Sequence, residues 1–127
     1  MMETFIEITS DQFQEFNKVA INGPFQMINF LKFKDKVEAT GSTGADTYDT
    51  YMKAVLPFFK MSKAKVIYLG TPMLTLIGPN DRLEWDKILI VEYASKENFI
   101  QMITSEGYPA KLRNEALIDS RLILSIT

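Results

Sequence analysis

The sequence predicts an α+β fold, a four-stranded antiparallel sheet with two helices on one face, and three observations carry that prediction. Two stretches, 25–33 (FQMINFLKF) and 84–94 (EWDKILIVEYA), are almost continuously apolar, as expected of strands buried on both sides near the middle of a sheet. Between and after them lie apolar residues at helical spacing. With an N-terminal segment set aside, the order is strand, helix, strand, strand, helix, strand, which is the split βαβ order of a ferredoxin-like plait. That plait places its first and third strands in the centre, and those are the two most apolar strands here. At 127 residues the chain reads as one domain, 1–127, with an N-terminal arm and helix over 1–23 and the plait over 24–127.

Each element has a local cause. Thr4–Ile8 alternates weakly, as a short strand or an extended arm. Thr9, Ser10 and Asp11 supply capping side chains for a helix with Phe13, Phe16 and Ala20 on one face, which Asn22-Gly23 ends and Pro24 keeps from resuming. Residues 34–45 (KDKVEATGSTGA) are polar and without period, and predict a mobile loop. Gly41 to Gly44 lacks the Gly-Lys-Ser/Thr ending of a phosphate loop. Asp46 with Asp49 resembles a capping box ahead of a helix carrying Tyr48, Tyr51, Met52, Val55 and Phe59, which Pro57 should kink or end.

Residues 65–77 read as a long edge strand with a bulge at Gly70-Thr71-Pro72, because proline cannot donate to a ladder. Gly78–Asp81 turns the chain into the second apolar strand, closing a hairpin. Ser95 caps a short helix with Phe99, Met102 and Ile103 inward. Pro109 suits the start of a further helix through Leu112, Ala116 and Leu117, and 121–126 is the last strand. Helices cover only one face of the sheet, so a homodimer pairing two sheets is expected to cover the other.

Composition narrows the chemistry. The absence of cysteine excludes thiol catalysis and thiolate-bound metal, and the absence of histidine removes the commonest general base and metal ligand. A net charge of -2 with dispersed lysines offers no basic stripe for nucleic acid. Nothing at the N-terminus resembles a signal peptide, and no run reaches membrane-spanning length. The expectation is a cytoplasmic protein with no membrane or nucleic-acid partner, no cofactor and no metal.

Asn29-Phe30-Leu31-Lys32-Phe33, Glu84-Trp85-Asp86, the Phe99, Met102, Tyr108, Arg113 spacing and Leu117-Ile118-Asp119-Ser120-Arg121-Leu122 resemble the domain-of-unknown-function family thirteen-thirty, one of the dimeric α/β barrels. The resemblance runs from about Pro24 to the C-terminus. It implies the plait and the dimer but no reaction. Relatives in that superfamily include cofactor-free monooxygenases, small-molecule isomerases and haem enzymes, and the missing histidine argues against the haem arrangement.

The candidate site residues are Lys32, Glu92, Arg121, Asn29 and Tyr51. Alternation puts Gln26, Ile28, Phe30 and Lys32 on one face of the first strand and Phe25, Met27, Asn29, Leu31 and Phe33 on the other. Taking the two central strands as parallel brings Lys32, Glu92 and Arg121 to one sheet end under the 34–45 loop, with Trp85 and Asp86 at the opposite end. Such a cluster is either a structural ion-pair network or a pocket in which Glu92 serves as acid or base while Lys32 and Arg121 hold an anion. Asn29, on the opposite face, either satisfies backbone or binds a ligand. Tyr51 and Tyr108 either pack as core or point hydroxyls into a pocket. Asp86 and Glu92 lie six residues apart on one strand, about 20 Å, too far to share a metal. Three functions remain open: a homodimeric binder of a small, partly apolar ligand, a cofactor-independent monooxygenase or isomerase, and an interaction module without a pocket.

Overall fold

The computed structural model describes residues 3–127, and Met1 and Met2, where the expected arm begins, lie outside the described residues. The elements are α1 (Ser10–Lys18), β1 (Phe25–Phe33), α2 (Gly44–Met61), β2 (Lys65–Gly70), β3 (Lys87–Tyr93), α3 (Lys96–Ile103), α4 (Ala110–Ala116) and β4 (Leu117–Ser125). The four strands make one sheet in the order β2-β3-β1-β4, every neighbouring pair antiparallel. This is the expected ferredoxin-like fold, with β1 and β3 central.

The direction of the central pair corrects the expectation. Phe25 pairs with Tyr93 and Leu31 with Lys87, so β1 and β3 are antiparallel, not parallel. The cause is connectivity. Helix α2 carries the chain back so that β2 starts in the direction of β1, and the link after β2 then reverses it into β3.

The core lies between one sheet face and the helices. Phe25, Met27 and Leu31 of β1 and Leu89, Val91 and Tyr93 of β3 pack against Tyr48, Tyr51, Val55 and Phe59 of α2 and Phe99 and Met102 of α3. Rings of Phe25, Tyr93, Phe99 and Phe16 interlock at centroid distances of 4.9–6.4 Å, the range in which aromatic pairs attract beyond their area. Helix α1 ends at Lys18, earlier than Asn22-Gly23, because the Lys96 ammonium reaches the carbonyls of Asn17 and Val19 and closes its C-terminus.

Helix α2 begins at Gly44 rather than Asp46, with the Thr43 hydroxyl accepting from the Asp46 N–H at 3.0 Å. Glycine is required at 44, since a Cβ there would meet the backbone of Lys34 and Ala116. Pro57 does not end the helix. It lies on the exposed side, where water can satisfy the Lys53 carbonyl that loses its amide partner. The 34–43 loop is anchored rather than free. Val37 is buried, and backbone bonds join Val37 to Ser42, Gly41 to Val37 and Lys34 to Ala116.

Strand β2 stops at Gly70, well short of Ile77, and its register shift falls between Val66 and Tyr68 instead of at Gly70–Pro72. The 71–86 segment beyond it leaves Met73, Leu74, Leu76 and Ile77 at least 75 % exposed. Helix α4 passes without a loop into β4, which therefore starts at Leu117 rather than Arg121. Among the described residues no helix is long and apolar enough to cross a membrane.

Candidate ligand-binding site

The alternation of β1 holds: Phe25, Met27, Asn29 and Leu31 face the helices and are buried, while Gln26, Ile28, Phe30 and Lys32 are half-exposed on the open face. The expected charged cluster does not form, because it depended on parallel central strands. Glu92 pairs with Gln26, six residues from Lys32, which separates the two by about 20 Å. Glu92 accepts instead from Gln26 Nε2 at 2.9 Å.

Lys32 stands opposite Asp119 and Arg121 opposite Phe30, so these two cations remain near each other along β1 and β4. Arg121 donates to Asp119 Oδ1 at 2.7 Å and lies over the rings of Phe5 and Trp85. Asp86 also changes ends. Its carboxylate accepts the Phe33 N–H at 2.8 Å, beside Lys32 rather than opposite it. On the open face the arrangement is an Arg121–Asp119 ion pair beside the rings of Phe5 and Trp85, not a network of Lys32, Glu92 and Arg121.

The hollow lies on the other face. Between the sheet and the helices is a cavity of about 660 Å³, within the range of small-molecule sites. Met27, Val91 and Leu124 floor it, Phe59 and Phe99 wall it, and residues 5–8 of the N-terminal arm cross its mouth. Its polar groups converge in one corner: Asn29, Tyr48, Tyr51, Tyr108 and Arg113. Of the five candidate residues, Asn29 and Tyr51 are here, and Lys32, Glu92 and Arg121 are not.

Asn29 satisfies neighbouring backbone, one of the two roles considered for it, and also meets a side chain. Its Nδ2 donates to the carbonyls of Leu89 (3.2 Å) and Met27 (3.5 Å), and its Oδ1 accepts from Arg113 at 3.4 Å. Arg113 also donates to the Ile6 carbonyl at 3.1 Å. Tyr51 and Tyr108 share a 2.9 Å hydroxyl–hydroxyl bond. Gly107, at φ 85°, makes the turn that delivers Tyr108 to this position. The Tyr48 hydroxyl is buried and has no hydrogen-bond partner.

Burial sets the protonation of these phenols. It raises the Tyr48 pKa to about 12, against the opposing pull of the nearby Arg113 guanidinium. Tyr51 and Tyr93 are raised further, by burial first and then by the neighbouring hydroxyls of Tyr108 and Tyr48. At neutral pH all three are hydrogen-bond donors and none is a base.

The arm is held over the mouth by side chains rather than by sheet pairing. Phe5 N–H donates to Asp119 Oδ1 (2.9 Å), Ser120 Oγ donates to the Phe5 carbonyl (2.8 Å), and Asn114 Nδ2 donates to Glu7 (2.8 Å). Burial pushes the Asp119 pKa up, but the Phe5 N–H, Arg121 and the Ser120 N–H together hold it below the usual carboxylate value.

Sequence reasoning raised Tyr108 beside Tyr51 as a hydroxyl that could enter a pocket, but did not select Arg113 or Tyr48. A signal existed for both. Arg113 lies three residues before the fully buried Ala116, on the inward side of α4, and Tyr48 lies three before Tyr51 on α2.

The chain is similar along its length to the crystal structure of the methylated RPA0582 protein, at 33% identity and a TM-score of 0.90, covering 99% of this chain and 96% of that one. A second crystal structure of RPA0582, a protein of unknown function from Rhodopseudomonas palustris, matches at 33% identity and a TM-score of 0.86, covering 96% and 95%. A dimeric ferredoxin-like protein of unknown function from Thermobifida fusca YX shares the fold at 12% identity and a TM-score of 0.55, covering 87% and 97%. No protein-family model and no curated protein matches the chain.

Proposed function

This chain belongs to the family of the Rhodopseudomonas palustris RPA0582 protein, and from that footing we propose that it is a homodimeric binder of a small, largely apolar molecule held between sheet and helices. The observation that carries the reading is the cavity of about 660 Å³, apolar on most sides, with its polar groups gathered in one corner. Such a site orients a ligand by one end and excludes water from the rest. A hollow of this size counts against an interaction module without a pocket.

The dimer half of the proposal rests on the open face. Ile28, Phe30, Ile88 and Ile90 are partly accessible there, Ile123 is exposed, and Met73 to Ile77 extend the apolar area beyond β3. A second copy is the expected cover, in keeping with the dimeric Thermobifida fusca protein and with what the resemblance to family thirteen-thirty implies.

The test is fluorescence titration with N-phenyl-1-naphthylamine, a neutral probe that brightens in apolar sites. Saturable binding at one probe per chain is expected. Ala110→Trp, at the exposed rim of the cavity, should weaken it by about tenfold or more. No saturable signal, or an unchanged affinity in the Trp variant, would contradict the proposal.

A cofactor-independent enzyme keeps one observation in its favour, the hydrogen-bonded Tyr51–Tyr108 hydroxyl pair, which could donate to a developing oxyanion. Tyr51→Phe would then abolish turnover of any substrate found, and an unchanged rate would end that reading.

A further inference from the structure

We infer that the ligand of this cavity is an acid, a small apolar carboxylate whose anionic end sits on Arg113 and the Tyr48 hydroxyl. The inference rests on the binding proposal above and adds the ligand's chemical class. Two independent observations point to it.

The first is an uncompensated cation. Arg113 lines the cavity and is partly buried, yet among the described residues no carboxylate lies within 4.0 Å of it. Its two contacts are neutral oxygens, the Ile6 carbonyl and Asn29 Oδ1. A guanidinium carries five N–H donors in a fixed fork, so three remain for a further acceptor. The carboxylates at the rim do not neutralise it: Glu7 is occupied by Asn114 Nδ2, and Glu15 is exposed on α1. A cation withdrawn from water without a counter-charge is costly, and a bound anion removes that cost.

The second is an unused donor. The Tyr48 hydroxyl is buried near Arg113 without a partner in hydrogen-bonding geometry, although buried polar groups nearly always have partners. Being protonated at neutral pH, it can donate but cannot compete as an anion. Guanidinium and phenol together offer a carboxylate charge-assisted bonds to both oxygens. The rest of the cavity offers apolar and aromatic wall, so the body of the acid is hydrocarbon or aromatic ring.

The experiment is displacement of N-phenyl-1-naphthylamine by 4-phenylbutyrate and by its uncharged isostere 4-phenylbutyramide, at pH 7. The acid should displace the probe at least about tenfold more tightly than the amide. Arg113→Met should abolish that preference, and Arg113→Lys should restore part of it. Because Arg113 also holds the arm, Tyr48→Phe serves as the second variant. It removes only an unpartnered hydroxyl and should narrow the acid-over-amide preference.

If the probe itself does not bind, the cavity proposal fails and this inference fails with it. If the probe binds but acid and amide compete equally, the inference alone is overturned. It is equally overturned if Arg113→Met keeps the full preference for the acid.

Discussion

The two faces of the sheet are built from the same strands yet do opposite things. On the helix face β1 contributes Phe25, Met27, Asn29 and Leu31, all at most 6 % exposed, and the helices enclose both a dense aromatic cluster and a hollow. On the open face the alternate residues Ile28, Phe30 and Lys32 stay half-exposed beside an ion pair wedged between Phe5 and Trp85. On the open face Arg121 is paired with Asp119, whereas Arg113 on the helix face has no carboxylate partner among the described residues. A paired charge on an accessible surface is self-sufficient; an unpaired one against a cavity implies something to bind.

Substitutions on the two faces should separate stability, assembly and binding. The largest effect is expected at Phe25, which is fully buried: Phe25→Ala should cost about 3–5 kcal/mol in urea unfolding. A loss under about 1 kcal/mol would show that the helix-side core is looser than its packing implies. Next is Ile28→Glu on the open face, between Ile90 and Ile123. It should convert a dimer to a monomer in light scattering and leave probe affinity intact; loss of binding with assembly preserved would reverse the assignment of the faces.

Tyr48→Phe should leave stability unchanged or raise it by up to about 1–2 kcal/mol, since it removes a buried hydroxyl that bonds to nothing. A clear destabilisation would mean that the hydroxyl is satisfied after all. The smallest effect concerns the arm. The folded-state pKa of Asp119 lies below its ordinary value, so its stabilising contribution is full above about pH 4 and fades as pH falls through the folded value. The Phe5 amide resonance should follow that transition in an acid titration, and Asp119→Asn should erase it. A Phe5 shift that tracks neutral pH instead would place the latch elsewhere.

Much of this architecture was readable in the sequence, and what was not has physical causes. Alternation along 25–33 sorted the residues into two faces correctly and separated Asn29 from Lys32, but left open which face meets the helices. Helical spacing found Tyr48, Tyr51, Val55 and Phe59 as the inward face of α2. Strand direction was the error with consequences. Periodicity is identical for parallel and antiparallel strands, and reversing β3 moves Glu92 from one sheet end to the other while exchanging Asp86 for it. The helix-side site depends on tertiary convergence: Arg113 meets Asn29 across 84 residues and Tyr108 meets Tyr51 across 57, distances no local pattern encodes. The loop at 34–43 looked unstructured because its order comes from one buried valine and a few backbone bonds, not from a repeating period.

The central claim is that small apolar molecules enter the helix side of the sheet and not the open side. Intermolecular NOEs between bound N-phenyl-1-naphthylamine and methyl-labelled protein test it directly. The account predicts cross-peaks from the probe rings to the methyls of Met27, Val91 and Leu124. Cross-peaks to Ile28, Ile90 and Ile123 with none to Met27 would contradict it.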